Sequence, residues 1–140
     1  PTFVGRDGVI RGPAADGRFA PVARTDVARA AARILADPVP HAHRTYTLTG
    51  PQSLSMAEVA EILSRVTGER ITYYAESLDE AVESRLAAGA TQWQAVAWAT
   101  SYAAIAAGQM ARVSDDVAEL TGAAPLSFED YLRSEGKSSP

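Results

Sequence analysis

Short β-branched runs alternate along this chain with segments that open on a helix-capping signature, and that alternation restricts the fold more than any other feature. Arg44-Thr45-Tyr46-Thr47-Leu48-Thr49 reads as a strand closed by Gly50-Pro51. Ser55-Met56-Ala57-Glu58 then has the form of a capping box, with Val59, Ile62, Leu63 and Val66 on one helical stripe behind it. Ile71 to Ala75 is another short strand, and Ser77-Leu78-Asp79-Glu80 a second capping box whose helix runs to about Ala88 before Gly89. The pattern predicts an α/β fold, mostly helical with a few short strands.

The remaining segments fit the same scheme. Over residues 1–20, turn chemistry at Asp7-Gly8, Gly12-Pro13 and Asp16-Gly17 separates short extended pieces, and GVIRGP and GRFAPV either pair as a hairpin or line the rim of a cleft. Thr25 or Asp26 is placed to cap a helix that carries Val27, Ala30, Ala31, Ile34 and Leu35 on one face and ends at Asp37-Pro38. Residues 92–107, QWQAVAWATSYAAIAA, are apolar around most of the circumference, so that helix is either buried or lines a pocket. Ser114 and Ser127 are placed to cap two last short helices.

Composition excludes several classes of function. A chain of 140 residues with 46% apolar content can bury one core. It has no cysteine, which removes disulfides, thiolate nucleophiles and thiolate metal sites together. Of its 13 basic residues all but Lys137 are arginine, scattered among acids, and that is a poor footprint for nucleic acid. No apolar run approaches the roughly 20 residues of a membrane span. The expectation is a soluble, cytoplasmic protein. The chain opens on Pro1, which suggests a preceding segment that folds with it.

Three stretches, VARTDVARAAARIL, RTYTLTGPQSLSMAEVAEILSRVTGERITY and SDDVAELTGAAPLSFEDYL, carry a family resemblance in their order and spacing. They resemble the C-terminal half of NmrA-like atypical short-chain dehydrogenases/reductases, the group that includes NAD(P)H-binding oxidoreductases, type-2 quinone reductases and redox-sensing regulators. The resemblance implies a Rossmann-type fold whose glycine-rich nucleotide half lies outside this chain. It implies NAD(P) as cofactor of the parent protein, with none bound by this portion alone. Residues 1–40 are then a residual Rossmann strand or loop with its flanking helix, and 41–140 a small α/β substrate lobe. Arg24 is expected to anchor the junction between them by pairing with a neighbouring carboxylate or carbonyl. The implied activity is hydride transfer from the nicotinamide to a quinone or similar small electrophile, with the isolated lobe inactive. Two alternatives stay open: part of a non-catalytic NAD(P)-sensing regulator, and an independent protein-interaction domain.

Candidate site residues follow from that frame. The Tyr-x-x-x-Lys relay of the wider family is absent, since Tyr73, Tyr74, Tyr102 and Tyr131 are followed four positions later by Ser77, Leu78, Ala106 and Glu135. No catalytic acid can therefore be named. Trp93, Trp98 and Tyr102 are candidates for the wall of a substrate pocket that takes a flat molecule, although aromatic residues at helical spacing more often pack a core. Arg11 is the candidate for an approaching anion. Glu76, Asp79, Glu80, Glu83 and the Asp115-Asp116 pair are explained by helix dipoles. His41 and His43, two residues apart with no thiolate beside them, do not make a metal site. The expected partners are the nucleotide-binding half, a small-molecule substrate and, because strand edges and apolar helix faces are left uncovered, another chain or a second copy of this one.

Overall fold

The computed structural model describes residues 4–135, which fall into two compact units, each discontinuous in sequence. One joins the chain up to residue 19 with 54–111; the other joins 20–53 with residue 112 onward.

In the first unit, β1 (Val9–Gly12) and β4 (Thr72–Ala75) pair in parallel from Val9 opposite Thr72 to Gly12 opposite Ala75. A second, antiparallel pair joins β2 (Arg18–Phe19) to β3 (Leu54–Ser55). The hairpin considered for GVIRGP and GRFAPV is thus not formed. Its two pieces go to different partners because the connection is held elsewhere: Ala14 is buried, its N–H donates to the Tyr73 hydroxyl, and Gly17 lies against the backbone of Ile105.

Helix α2 (Met56–Thr67) starts on the capping box read from the sequence. The Ser55 hydroxyl accepts from the Glu58 N–H at 3.2 Å, and the Glu58 carboxylate accepts from the Ser55 N–H at 2.7 Å. Its stripe of Val59, Ile62 and Leu63 is buried with Ile10 and Ile71. Removing the cap by Ser55→Ala is expected to cost about 1 kcal/mol, read as a lowered midpoint in denaturant melts. The hydrogen bond from the Ser55 N–H and that from Arg18 hold the Glu58 carboxyl below its ordinary pKa. A depressed folded pKa gives stability that is full above the unfolded value and lost as pH falls through the folded one. The Ser55→Ala penalty should therefore shrink in acid; a penalty unchanged by acid contradicts the reciprocal cap.

Helices α3 (Leu78–Ala87) and α4 (Gln92–Ala106) pack on each other through small residues, with Ala81, Ala95 and Ala99 fully buried. A further capping box, Thr91 with Gln94, starts α4. Burial of α4 covers only its alanine face and Ile105: Trp93 is 77% exposed and Trp98 52%. The helix is apolar around its circumference but not covered around it.

In the second unit, α1 (Arg24–Ala36) packs on α5 (Asp116–Thr121), burying Ala30 and Val117. The expected cap is corrected here. The helix is entered through Ala23 with no side-chain cap, and Asp26 turns inward, fully buried. Its carboxylate accepts from the Leu126 N–H and from Arg29, both at 2.8 Å. Arg24 is exposed and pairs with no carboxylate or carbonyl among the described residues, whereas Asp26 ties α1 to the Leu126 amide.

Residues 44–49 form no strand. Side chains of Ser114 and Asp116 take the backbone groups of Thr47 that a neighbouring strand would have bonded, and the Thr49 hydroxyl in turn takes a backbone amide of that segment. The Thr47 N–H donates to Asp116, the Ser114 hydroxyl donates to the Thr47 carbonyl, and the Ser114 N–H donates to the Thr49 hydroxyl. Ser114 is thereby spent and does not cap α5, which is entered through Asp115. Helix α6 (Phe128–Glu135) does begin as read, with the Ser127 hydroxyl accepting from the Asp130 N–H. Lys137 lies outside the described residues. No described helix is long and apolar enough to cross a membrane.

Candidate functional site

A concavity of about 700 Å³ opens in the first unit. Strand alternation places Val9 and Arg11 on the face of β1 away from the buried Ile10, and both line it. Ser84 and Arg85 of α3 form a second side, and Trp98, Ser101 and Tyr102 of α4 a third. Trp98 and Tyr102 are four apart on one helix face, giving the hollow an aromatic wall.

Arg85 organises the polar side. Its Nη1 lies 3.0 Å from Glu76 Oε2 and 2.7 Å from the Ala81 carbonyl, and Nη2 donates to the Arg11 carbonyl at 3.3 Å. The other Glu76 oxygen accepts from the Ser84 hydroxyl at 2.9 Å. The ion pair is largely out of solvent, with side-chain exposures of 16% for Arg85 and 4% for Glu76. The guanidinium also sits 5.9 Å from the centre of the Tyr102 ring, a cation–π distance. Burial pushes the Tyr102 phenol up, against a smaller opposing effect of Arg85, so at neutral pH it is a protonated donor. Arg11 is clamped from the solvent side by Asp7, whose carboxylate receives both terminal nitrogens.

Of the four residues nominated from sequence, the fold brings Arg11, Trp98 and Tyr102 together around this hollow. Trp93 is not among its lining residues. It sits in the first turn of α4 and points largely into solvent. Sequence reasoning missed Arg85 and Ser84 and gave Glu76 only a helix-dipole role. The lone available signal was an acidic residue before a capping box followed by an arginine on the same helix, which is common on solvated surfaces. His41 is held through Nδ1 by the Tyr46 hydroxyl at 2.6 Å, and no group of three possible metal-ligating side chains occurs among the described residues.

Gly12 explains how Tyr102 comes so close to the sheet. A Cβ there would stand 2.5 Å from the ring's Cδ1. Gly12→Ala is expected to displace the ring and open the concavity, costing about 1–3 kcal/mol as in other overpacked sites. A neutral substitution, with the Tyr102 ring resonances unmoved in NMR spectra, would refute the contact.

A dinucleotide's pyrophosphate needs free amides at a helix start following a strand. Both strand-to-helix junctions of this unit are closed by their own carboxylates, Glu58 at α2 and Glu80 at α3. Hydrogen bonds from Ser77 hold the Glu80 carboxyl below its ordinary pKa, so an anion already fills that position.

A parallel strand pair with flanking helices forms part of an NAD(P)-binding reductase fold. Comparison with known proteins gives the family. No protein-family model matches the chain. It is 34% identical over 125 residues to the uncharacterised oxidoreductase YesF of Bacillus subtilis, covering 89% of this chain and 43% of that protein. It is 31% identical over 121 residues to the NAD(P)H azoreductase of Xenophilus azovorans, covering 86% and 42%. With quinone oxidoreductase 2 of Escherichia coli the identity is 35% over 74 residues, 53% of this chain and 25% of that one. The solved structure of Citrobacter triphenylmethane reductase complexed with NADP(H) superposes with a TM-score of 0.83 at 28% identity, over 95% of this chain and 46% of that one. The chain therefore spans less than half the length of the first two of these relatives, and it matches the C-terminal half of the NmrA-like atypical short-chain dehydrogenases/reductases.

Proposed function

We propose that the concavity is the substrate pocket of an NAD(P)H-dependent oxidoreductase acting on a quinone or similar small electrophile, and that this chain supplies the pocket wall but not the nucleotide site. The observation that carries the reading is the joining of Trp98, Tyr102, Arg11 and Arg85 around one hollow of about 700 Å³, large enough for a flat bicyclic molecule. The reductases named above, which include a quinone oxidoreductase and an azoreductase, support the class of reaction. The carboxylate-closed helix starts support a cofactor held by other residues of the parent protein. By role, residues 1–40 carry the strand and flanking helix of the nucleotide fold and 41–140 the substrate lobe, a division that cuts across the two compact units. When bound, the nicotinamide supplies the hydride. The residues of this chain orient the acceptor against Trp98, exclude water with the aromatic wall, and offer N–H and O–H donors to its oxygen.

The test is to read the coding sequence upstream of Pro1 and to assay the protein it encodes. The expected result is a strand followed by a glycine-rich turn, NAD(P)H oxidation that depends on added naphthoquinone, and no such oxidation by residues 1–140 alone. Cofactor binding with no turnover across a panel of quinones would replace this reading with the sensor one. An upstream region without a nucleotide fold would remove both.

A further inference from the structure

The lining of the concavity has a consistent electrostatic sign. Arg11 and Arg85 face the hollow, while the carboxylates that neutralise them, Asp7 and Glu76, are not among its lining residues. No Asp or Glu among the described residues contributes to that lining. A ligand in the hollow therefore meets the positive end of two ion pairs, whose fields do not cancel at a distance comparable to the pair separation.

Donors are also left over there. Arg85 spends Nη1 on Glu76, Ala81 and Ser84, and one Nη2 hydrogen on the Arg11 carbonyl. Its Nε–H and second Nη2 hydrogen have no acceptor among the described residues. The Tyr102 hydroxyl likewise makes no hydrogen bond among them, although it is partly buried. A mostly buried guanidinium with hydrogens to spare, beside a protonated phenol, gains from an incoming acceptor oxygen and loses from an incoming cation. The flat wall sets the rest of the ligand, since an aromatic ring can lie along Trp98.

We propose that this concavity discriminates by charge: it takes a planar aromatic ring bearing a carbonyl or carboxylate oxygen, received by Arg85 and Tyr102, and turns away the same ring bearing a cation. The proposal rests on the reading of the hollow as a substrate pocket and adds the substrate class. Glu76 is a positioning residue in this scheme, holding the guanidinium across the hollow without touching the ligand.

Three probes with one ring system test it: naphthoate, acetonaphthone and naphthylmethylammonium, each titrated into the chain at neutral pH and followed through the Trp98 indole and Tyr102 ring signals in NMR. The expected order is naphthoate tightest, acetonaphthone next and the ammonium weakest. The gap between the charged extremes should be about tenfold or more, as for a single charge-assisted hydrogen bond. Raising the salt should narrow it. Arg85→Met should flatten the order, and because that change strands Glu76, the paired variant Glu76→Gln with Arg85→Met serves as the folded control. Equal affinities, or a preference for the ammonium, with Trp98 and Tyr102 signals moving would overturn the charge selectivity and leave the pocket reading standing. No movement of these signals with any probe would overturn both.

Discussion

Replacing Asp26 by Ala is expected to destabilise the protein by about 3 kcal/mol, the largest effect of any single polar position in the second unit. The residue reads in sequence like an ordinary helix-start aspartate, whose loss usually costs about 1 kcal/mol. The fold gives it other work. Its side chain is fully buried, one oxygen facing Arg29 and the other receiving the Leu126 N–H from a hundred residues away in the chain. Alanine leaves that amide and one edge of the guanidinium without their acceptor, and it removes the tie between α1 and the segment that leads into α6. Arg29 is 43% exposed and can turn to water, so the cost comes mainly from the amide and the emptied volume. Asp26→Asn keeps one acceptor oxygen and should lose less. Denaturant melts give the total, and hydrogen exchange gives its location: faster exchange should concentrate in α1, α5 and residues near Leu126, with α2 spared. A loss under about 1 kcal/mol would return Asp26 to the role of a simple cap.

That residue marks the boundary of what the sequence discloses. Local chemistry was legible: the boxes at Ser55 and Ser77, the glycine stop at Gly68 with its φ of 76°, and the strand at Thr72–Ala75 all depend on residues a few positions apart. The family was legible as well, because the order of such local motifs survives when pairwise identity is low. What was not legible is everything decided by a distant partner. Residues 44–49 have the alternation of a strand, yet a strand exists only if a neighbouring backbone edge is presented, and here hydroxyl and carboxylate side chains from 114–116 arrive instead. The two glycine-flanked pieces near the start have the turn chemistry of a hairpin, but Gly17 backs onto Ile105 and the pairing goes to β3 and β4.

The site was half legible for a related reason. A helical wheel tells which residues of α4 share a face, and Trp98 and Tyr102 were found that way. It puts Trp93 on a different side, but it does not tell which side a hollow opens against, so Trp93 stayed a candidate beside them. Arg85 was invisible because its importance comes from three contacts that no spacing encodes: a strand-end glutamate, a carbonyl of β1 and an aromatic ring of the next helix.

Glu76→Ala should be the most damaging substitution in the first unit, at about 3–5 kcal/mol, because it leaves Arg85 charged and nearly dry without its counter-ion. With side-chain exposures of 4% and 16%, neither partner is well hydrated where it stands. The guanidinium has two ways to respond. It can swing into the concavity, which moves it off Tyr102 and closes the hollow, or it can stay and carry the unpaired charge. The first predicts a loss of probe binding along with stability and the second a stronger preference for naphthoate, whereas a surface ion pair such as Arg133 with Glu129 should give about 1 kcal/mol at most and no binding change. The double variant Glu76→Ala with Arg85→Met separates the buried pair from the mere presence of a carboxylate. Removing both charges avoids the stranded cation, so most of the lost stability should return while charge discrimination among ligands does not. If the double variant is as unstable as Glu76→Ala alone, the cost lies in the lost packing of Glu76 against Ser84, and the ion pair is not what holds Arg85 across the hollow.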